Sequence, residues 1–273
     1  MEILILIGLI ALGAGAGIMG ALFGLGGGVI FVPVLMLVFG LAPADAAAVS
    51  LVGIVAGSVG ASSVFIEKGL ANVRLGLLLE VTTTIGAIAG AIIAGYMEDW
   101  ILSLIFCAVM IYSAVRMILS PEKVVEPKDG EGRMCFTYKD EANDDDISYE
   151  VQNTGAGGAA CVFAGMMSSM TGVGGGAIKV PVMNLIMHVP MKAASSTSSY
   201  MIGITAFSGA ITYFFSGHLD LAFAGAVAIG AFIGALAGSY LARRLNTKHL
   251  RRYFSVVLLF MSALVLLRVG GIL

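Results

Sequence analysis

The sequence predicts an all-α polytopic membrane protein made of two inverted repeats of five hydrophobic segments each, joined by a small cytoplasmic β-hairpin insert. Three observations support this prediction: the composition, a doubled glycine motif and the distribution of charge. Of the 273 residues, 59% are hydrophobic and 12% are charged, and the mean hydropathy is +0.99. Soluble domains are about 45–50% apolar and about 25% charged, so the composition excludes an ordinary soluble protein.

Hydrophobic runs long enough to cross a bilayer recur along the chain. Residues 3–23 contain no charged side chain, and ~20 such residues cross the hydrocarbon core as a helix. Because this run is longer than the core of a signal peptide and has no basic flank, we interpret it as a retained first helix. Further runs lie near 46–66, 75–95, 101–119, 155–171, 193–215, 221–242 and 253–272.

A glycine motif occurs twice, as GLGGGVIFVP from Gly24 and as GVGGGAIKVP from Gly172, 148 residues apart. Nine of the fourteen positions from Gly24 to Leu37 are identical at this offset. The same offset aligns glycines in later helices, which indicates a duplication rather than a shared glycine bias. Each half then contains one long segment, one short segment after the glycines (28–40 or 176–188) and three long ones.

Five segments per half is an odd number, so the second half would have the opposite orientation in the membrane. The basic stretch RRLNTKHLRR at 243–252 is expected in the cytoplasm by the positive-inside rule. Counting back one crossing at a time places Lys192, the insert and the Lys68/Arg74 turn on the same side, with both termini outside. The equivalent loops of the other half are acidic or weakly charged, as an inverted repeat predicts.

The predicted domains are a first transmembrane repeat at 1–120, an acidic cytoplasmic insert at 121–154 and a second transmembrane repeat at 155–273. Within the insert, RMCFTYK and ISYEVQN alternate as β-strands do, and DEANDDD between them is typical of a turn. The cluster at 144–146 lacks the glycine and the final glutamate of a calcium loop. We therefore interpret the insert as a solvated connector rather than a metal site.

Three adjacent glycines interrupt a helix, and non-helical backbone at membrane depth must be buried in protein or line a wet cavity. Each motif is therefore expected to begin a short helix part-way into the membrane. The free N–H groups there, together with the helix dipole, favour an anion. Close helix packing is the alternative, and it suits the later glycines better. The predicted substrate-binding glycines are Gly26, Gly27, Gly28, Gly174, Gly175 and Gly176.

The doubled motif, with AAAVSLVGI and AASSTSSYMIG about 20 residues downstream, resembles the sulfite exporter TauE/SafE family of membrane transporters. The resemblance covers both halves and leaves out the insert. It implies export of a small sulfur oxyanion or organosulfonate, such as sulfite or sulfoacetate, coupled to an ion gradient. One position departs from the symmetry of the motif, since Phe31 is replaced by Lys179 in the second copy.

Lys179 is the first candidate for the substrate site, because a lysine at membrane depth is costly and usually marks a pathway or an ion pair. Glu80, the acidic residue inside an apolar run, is the candidate for coupling; a salt bridge with Lys179 and snorkelling to the cytoplasmic face are the alternatives. Hydroxyl and amide side chains in the second half and one equivalent serine in the first are candidate ligands for sulfonate oxygens, against back-bonding to their own helices. These are Ser50, Thr197, Ser198, Ser199, Tyr200 and Asn184.

The sequence gives no nucleophile–base arrangement, no metal-ligand cluster and no nucleotide loop, so no enzyme, cofactor or metal is predicted. The basic stretch at 243–252 is explained by topology, which leaves no patch for nucleic acid. The expected partners are a small anion and the lipid bilayer; the oligomeric state stays open, a homo-oligomer included. Two alternatives remain: a non-transporting scaffold with an acidic docking hairpin, and a thiosulfate permease with a cysteine relay through Cys107, Cys135 and Cys161.

Overall fold

The computed structural model describes residues 2–41, 43–94, 134–141, 144–171, 175–215, 217–245 and 247–269, with isolated positions between 104 and 119. The predicted segment at 101–119, the start of the insert, and Gly174 lie wholly or largely outside the described residues. The long helices are α1 (Glu2–Phe23), α3 (Pro43–Glu67), α4 (Val73–Ala94), α5 (Thr154–Thr171), α7 (Met191–Phe215), α8 (Leu221–Arg244) and α9 (Thr247–Val269).

The two short helices follow the glycine motifs, as the sequence predicts. Helix α2 (Gly28–Leu37) has ten residues, and α6 (Gly176–Pro181) has six and continues as a π-helical turn over Val182–Ile186. At 1.5 Å per residue, α2 is ~15 Å long, about half the thickness of the hydrocarbon core. Neither short helix is therefore long enough to cross a bilayer alone.

The helices confirm the coarse part of the prediction, a mostly helical, multi-pass membrane protein. Among the described residues, three stretches are long and apolar enough to span a membrane: Leu4–Phe23, Asp45–Glu67 and Leu221–Arg244. The ten-segment count in the prediction exceeds the spans that these helices establish. It remains a prediction.

Close helix pairs join the two halves of the chain. Helix α1 packs along α8, and α4 packs along α5. A Cβ atom on Gly234 would lie 2.1 Å from the Ala14 carbonyl oxygen, and one on Gly86 would lie 1.9 Å from the Val162 carbonyl oxygen. These contacts correspond to each other under the 148-residue offset, and the absence of side chains lets the backbones touch.

A two-stranded antiparallel hairpin follows the first half, as predicted from the alternation. Strand β1 (Cys135–Asp140) pairs with β2 (Asp145–Glu150), and Tyr138 faces Ile147 in the register. The acidic residues 144–146 are exposed at the turn. Asp144 forms an exposed ion pair with Lys139, which raises the pKa of the lysine and lowers that of the carboxyl.

The hairpin is not a solvated connector along its whole length, contrary to our interpretation of the insert. Tyr149 is 2% exposed, and its hydroxyl accepts a hydrogen bond from the Asn72 side chain in the α3–α4 turn. Asp140 and Glu141 form ion pairs with Lys192 and Arg243 of the helices. The hairpin, the α3–α4 turn, the start of α7 and the end of α8 thus share one face, which we call the hairpin face.

Candidate functional site

The two glycine motifs contact each other inside the helical bundle. Gly24, Gly26 and Gly27 have positive φ angles of 69°, 73° and 81°, and Gly175 has a φ of 73°. This left-handed backbone strongly favours glycine, and it lets the chain turn directly from a long helix into a short one. A Cβ atom on Gly176 would lie 2.3 Å from the Gly24 carbonyl oxygen, so side chains there would force the two turns apart.

Lys179 lies in the first turn of α6 and is completely buried. Its backbone N–H donates to the Gly175 carbonyl oxygen, which orients the side chain from the glycine turn. The Nζ atom lies 3.1 Å from Glu80 Oε2 of α4 and 3.1 Å from Thr205 Oγ1 of α7. The salt bridge between Lys179 and Glu80, one of the alternatives left open by the sequence, is thus present.

Thr205 completes a closed ring of three polar groups with Lys179 and Glu80. Its hydroxyl accepts from the lysine and donates to Glu80 Oε1, so each carboxylate oxygen has a donor. Glu80 is 5% exposed, and a buried ion pair is tolerated only where its charges are paired and hydrogen-bonded. Thr205 is not among the site residues predicted from the sequence, where its signal is a hydroxyl in the apolar part of α7.

The positions that correspond to the three ring residues at the 148-residue offset carry no charge. Phe31 occupies the place of Lys179, Gly57 that of Thr205 and Ala228 that of Glu80 at the 148-residue offset. The Phe31 ring is completely buried. Its edge packs against Gly53, where an added Cβ atom would lie 3.1 Å from the ring. The ring of polar groups therefore takes Glu80 from the first half and Lys179 and Thr205 from the second, and at the symmetry-related place Phe31 fills the position of the lysine with an aromatic ring.

Several predicted ligands bond to other parts of the protein in this structure. Ser198 Oγ donates to the Gly24 carbonyl oxygen at 2.7 Å, and Thr197 Oγ1 accepts from the Asn72 N–H at 2.9 Å. The Asn184 amide donates to the Val189 carbonyl oxygen beyond the π-helical turn. The Tyr200 ring lies against Gly76 of α4. These contacts fix the helices around the glycine turns.

Two predicted serines retain an unused hydroxyl. The Oγ atoms of Ser50 and Ser199 are buried and have no hydrogen-bond partner among the described residues. Ser199 borders a small cleft between α1, α3 and α7, which we call the central cleft. It is lined by Gly17, Gly20, Ala21, Gly26, Gly57, Ser58, Ala61 and Ser199.

Ser58 is the other polar side chain that lines the central cleft, besides Ser199. It is not among the site residues predicted from the sequence. Its hydroxyl donates to the Ser199 carbonyl oxygen, which ties α3 to α7. The structure thus brings Gly26 and Ser199 together at the cleft, and Lys179 and Glu80 together beside the second glycine turn. Anion binding by any of these residues stays a prediction.

Comparison with known proteins identifies the family. The model of the sulfite exporter TauE/SafE family matches residues 9–265, nearly the whole chain. The chain belongs to this family. The resemblance drawn from the two glycine motifs is thereby confirmed.

Curated relatives of the TauE/SafE chain carry transporter names. This chain is 28% identical over 261 residues to the probable membrane transporter protein YunE of Bacillus subtilis (strain 168), and the match covers 93% of this chain and 94% of that protein. It is 25% identical over 290 residues to the probable membrane transporter protein MJ0441 of Methanocaldococcus jannaschii, covering 98% and 96%. No solved structure matches the chain. It is therefore a membrane transporter of the TauE/SafE family.

Proposed function

We propose that this protein is a secondary transporter that exports a small sulfur oxyanion or organosulfonate, such as sulfite or sulfoacetate, by alternating access. The observation that carries the proposal is the buried Lys179–Glu80–Thr205 ring beside the paired glycine turns. A scaffold gains nothing from a lysine with 0% exposure, because burying such a charge is costly. In a transporter of anions, a cation at this depth gives the substrate a counter-charge.

The ring suggests how an anion and a second ion are coupled. Lys179 has one positive charge, and Glu80 already neutralises it across 3.1 Å. A substrate anion binds Lys179 favourably only if Glu80 moves away or takes up a proton, because two anions beside one cation repel each other. Glu80 is thus the coupling residue of the proposal, and a proton is the simplest coupling ion.

The directions of the helices support an inverted repeat. The turn before α8 meets the start of α3, where His218 Nδ1 lies 3.0 Å from Asp45 Oδ1, and α8 ends at the hairpin face with Arg243. Helix α4 begins at the hairpin face, beside Asn72. Helices α4 and α8, which correspond at the repeat offset, therefore run in opposite directions. This is the geometry of transporters that alternate around a central site.

We place the hairpin face in the cytoplasm and both termini outside. Lys192 and Arg243 lie at this face, and positive charge favours the cytoplasmic side. A cysteine introduced at Gly69 should react with an impermeant thiol reagent only from the cytoplasm, and one at His218 only from outside. Reaction of both from the same side would contradict the inverted arrangement.

Binding to purified protein tests the proposed substrate. Sulfite and sulfoacetate should raise the thermal midpoint over chloride of equal ionic strength, because a ligand that binds only the native state stabilises it. Lys179→Met should weaken this binding by about 2–4 kcal/mol, in the range for truncating one partner of a buried charge contact. Lys68→Met, at an exposed lysine, is the matched control. Equal stabilisation of both variants would remove Lys179 from the site.

A further inference from the structure

Two carboxylates of the hairpin lie on two buried cations of the helices. Asp140 accepts from Lys192 Nζ, and Glu141 accepts from Arg243 Nη1. Lys192 and Arg243 are 3% and 7% exposed, and Lys192 also donates to the Arg243 carbonyl oxygen at 2.9 Å. The two cations therefore form one basic cluster at the hairpin face, and the hairpin neutralises it.

A cleft lies beside this basic cluster, and we call it the peripheral cleft. It is lined by Phe65, Leu70, Lys192, Ser195, Ser196, Ala242 and Arg243. The guanidinium of Arg243 stacks 4.7 Å from the centre of the Tyr240 ring, and its Nε–H has no hydrogen-bond partner among the described residues. A buried donor without an acceptor is costly. The cleft has no room for a water molecule in this structure, so an anion would satisfy this group only after the carboxylates of Asp140 and Glu141 move away.

The peripheral cleft and the central cleft follow the same two helices. Lys192, Ser196 and Ser199 recur at helical spacing on one face of α7, and the seven steps of the helix from Lys192 to Ser199 span ~10 Å along the axis. On α3, Phe65 lines the peripheral cleft and Ala61 the central one, one helical turn apart. The two clefts are thus neighbours along α3 and α7.

The first glycine turn lies between the two clefts. A Cβ atom on Gly24 would lie 2.5 Å from the Ser195 carbonyl oxygen, and Gly26 lines the central cleft. An anion held at Lys192 and Arg243 would therefore sit directly on the hairpin side of the turn that borders the central cleft.

We propose that the peripheral cleft is a second anion-binding site, and that Asp140 and Glu141 occupy its cations as built-in competitors of the transported anion. The inference rests on the proposed function, because it assigns this site to the hairpin-side end of the same substrate path. The anion displaces the two carboxylates, and the hairpin then detaches from Lys192 and Arg243.

The paired cations favour a small dianion over a monoanion. Two carboxylates on adjacent residues neutralise them in this structure, so a ligand with one charge would leave one carboxylate in place. A ligand with two acidic groups, such as the sulfonate and carboxylate of sulfoacetate, replaces both. Sulfoacetate is therefore the test ligand, and methanesulfonate is its singly charged counterpart.

The experiment compares two hairpin variants of the full chain. Asp140→Asn/Glu141→Gln removes the competing charges, and Lys139→Gln/Asp144→Asn removes an exposed ion pair of the same hairpin whose side chains are 62% and 84% exposed. We expect the first variant to bind sulfoacetate at least about tenfold more tightly than wild type, measured from the thermal midpoint at constant ionic strength. The second should match wild type. An unchanged or weaker affinity in the first variant would overturn the proposal.

The first variant also loses stability, since Lys192 and Arg243 lose their counter-charges, and this loss is itself part of the test. Sulfoacetate should restore the midpoint to near the wild-type value, whereas methanesulfonate should not. Equal restoration by both would overturn the preference for a dianion.

Adding Arg243→Gln to Asp140→Asn/Glu141→Gln should abolish the gain in affinity, because it removes a cation of the peripheral cleft. Adding Lys179→Met should leave the gain in place, because Lys179 lies outside this cleft. If the gain disappears with Lys179, the extra binding belongs to the site at Lys179 and the inference fails. If Lys179→Met binds sulfoacetate as tightly as wild type and the gain still persists, the proposed site at Lys179 fails and the peripheral site stands.

Discussion

The buried ion pair between Lys179 and Glu80 makes a quantitative prediction about stability. Glu80→Gln leaves a fully buried ammonium without a counter-charge, and removing one partner of such a pair costs about 3–5 kcal/mol. Lys179→Met leaves the carboxylate alone and should cost a similar amount. The double variant removes both charges together, and replacing a whole buried pair is often neutral or stabilising. We therefore expect the double variant to be closer to wild type than either single one.

Thermal unfolding in detergent measures this double-mutant cycle. A loss of 3–5 kcal/mol corresponds to a fall of roughly 5–15 °C in the midpoint for a chain of this size. Asp144→Asn on the exposed pair with Lys139 is the control and should leave the midpoint unchanged, because exposed ion pairs contribute little. Additive losses in the double variant would refute the reasoning, because they would show that the two charges do not depend on each other.

Three other properties follow from the structure. Gly86→Ala should destabilise the protein by about 1–3 kcal/mol, because its Cβ would lie 1.9 Å from the Val162 carbonyl oxygen. Gly225→Ala should be tolerated, because no atom lies within 4 Å of its Cβ. Comparison of the thermal midpoints of the two variants tests this prediction. Burial raises the pKa of Tyr149 to about 12, so docking of the hairpin should weaken as pH rises from about 10 to 12, where the undocked phenol loses its proton first. Comparing the tyrosinate absorbance of wild type and Tyr149→Phe tests this, and a phenol that titrates near 10 would contradict it. Serine at all three cysteines should leave transport of sulfite intact, and its loss would favour the relay mechanism; the positions are Cys107, Cys135 and Cys161.

The helices and the hairpin could be predicted from the sequence because their signals are local. Apolar length gives α1, α3 and α8, and the positive φ angles of Gly26 and Gly175 explain why glycine recurs at the two turns. Alternation gives the strands. The pairing of Lys179 with Glu80 could be anticipated as one alternative, because a lone buried charge is too costly to stand alone.

The partners of the polar side chains could not be predicted from the sequence, because they depend on contacts between distant segments. A hydroxyl in an apolar helix looks the same in sequence whether or not it bonds to a backbone carbonyl. The sequence therefore does not distinguish Ser198, which bonds to Gly24, from Ser199, whose Oγ has no partner among the described residues. Thr205 joins the ring only because α4, α6 and α7 meet. The anchoring of Asp140 was likewise invisible, since an acidic segment in sequence looks solvated until its cations are located on other helices.

The central claim is that an anion crosses the membrane at Lys179, and flux into proteoliposomes tests it most directly. Wild-type protein should carry radiolabelled sulfite or sulfoacetate down a concentration gradient, with Lys179→Met reduced to the level of empty liposomes and Lys68→Met unaffected. Glu80→Gln should still exchange labelled for unlabelled anion but lose its response to an imposed proton gradient. Undiminished flux in Lys179→Met would contradict the account, because the buried cation would then have no part in transport.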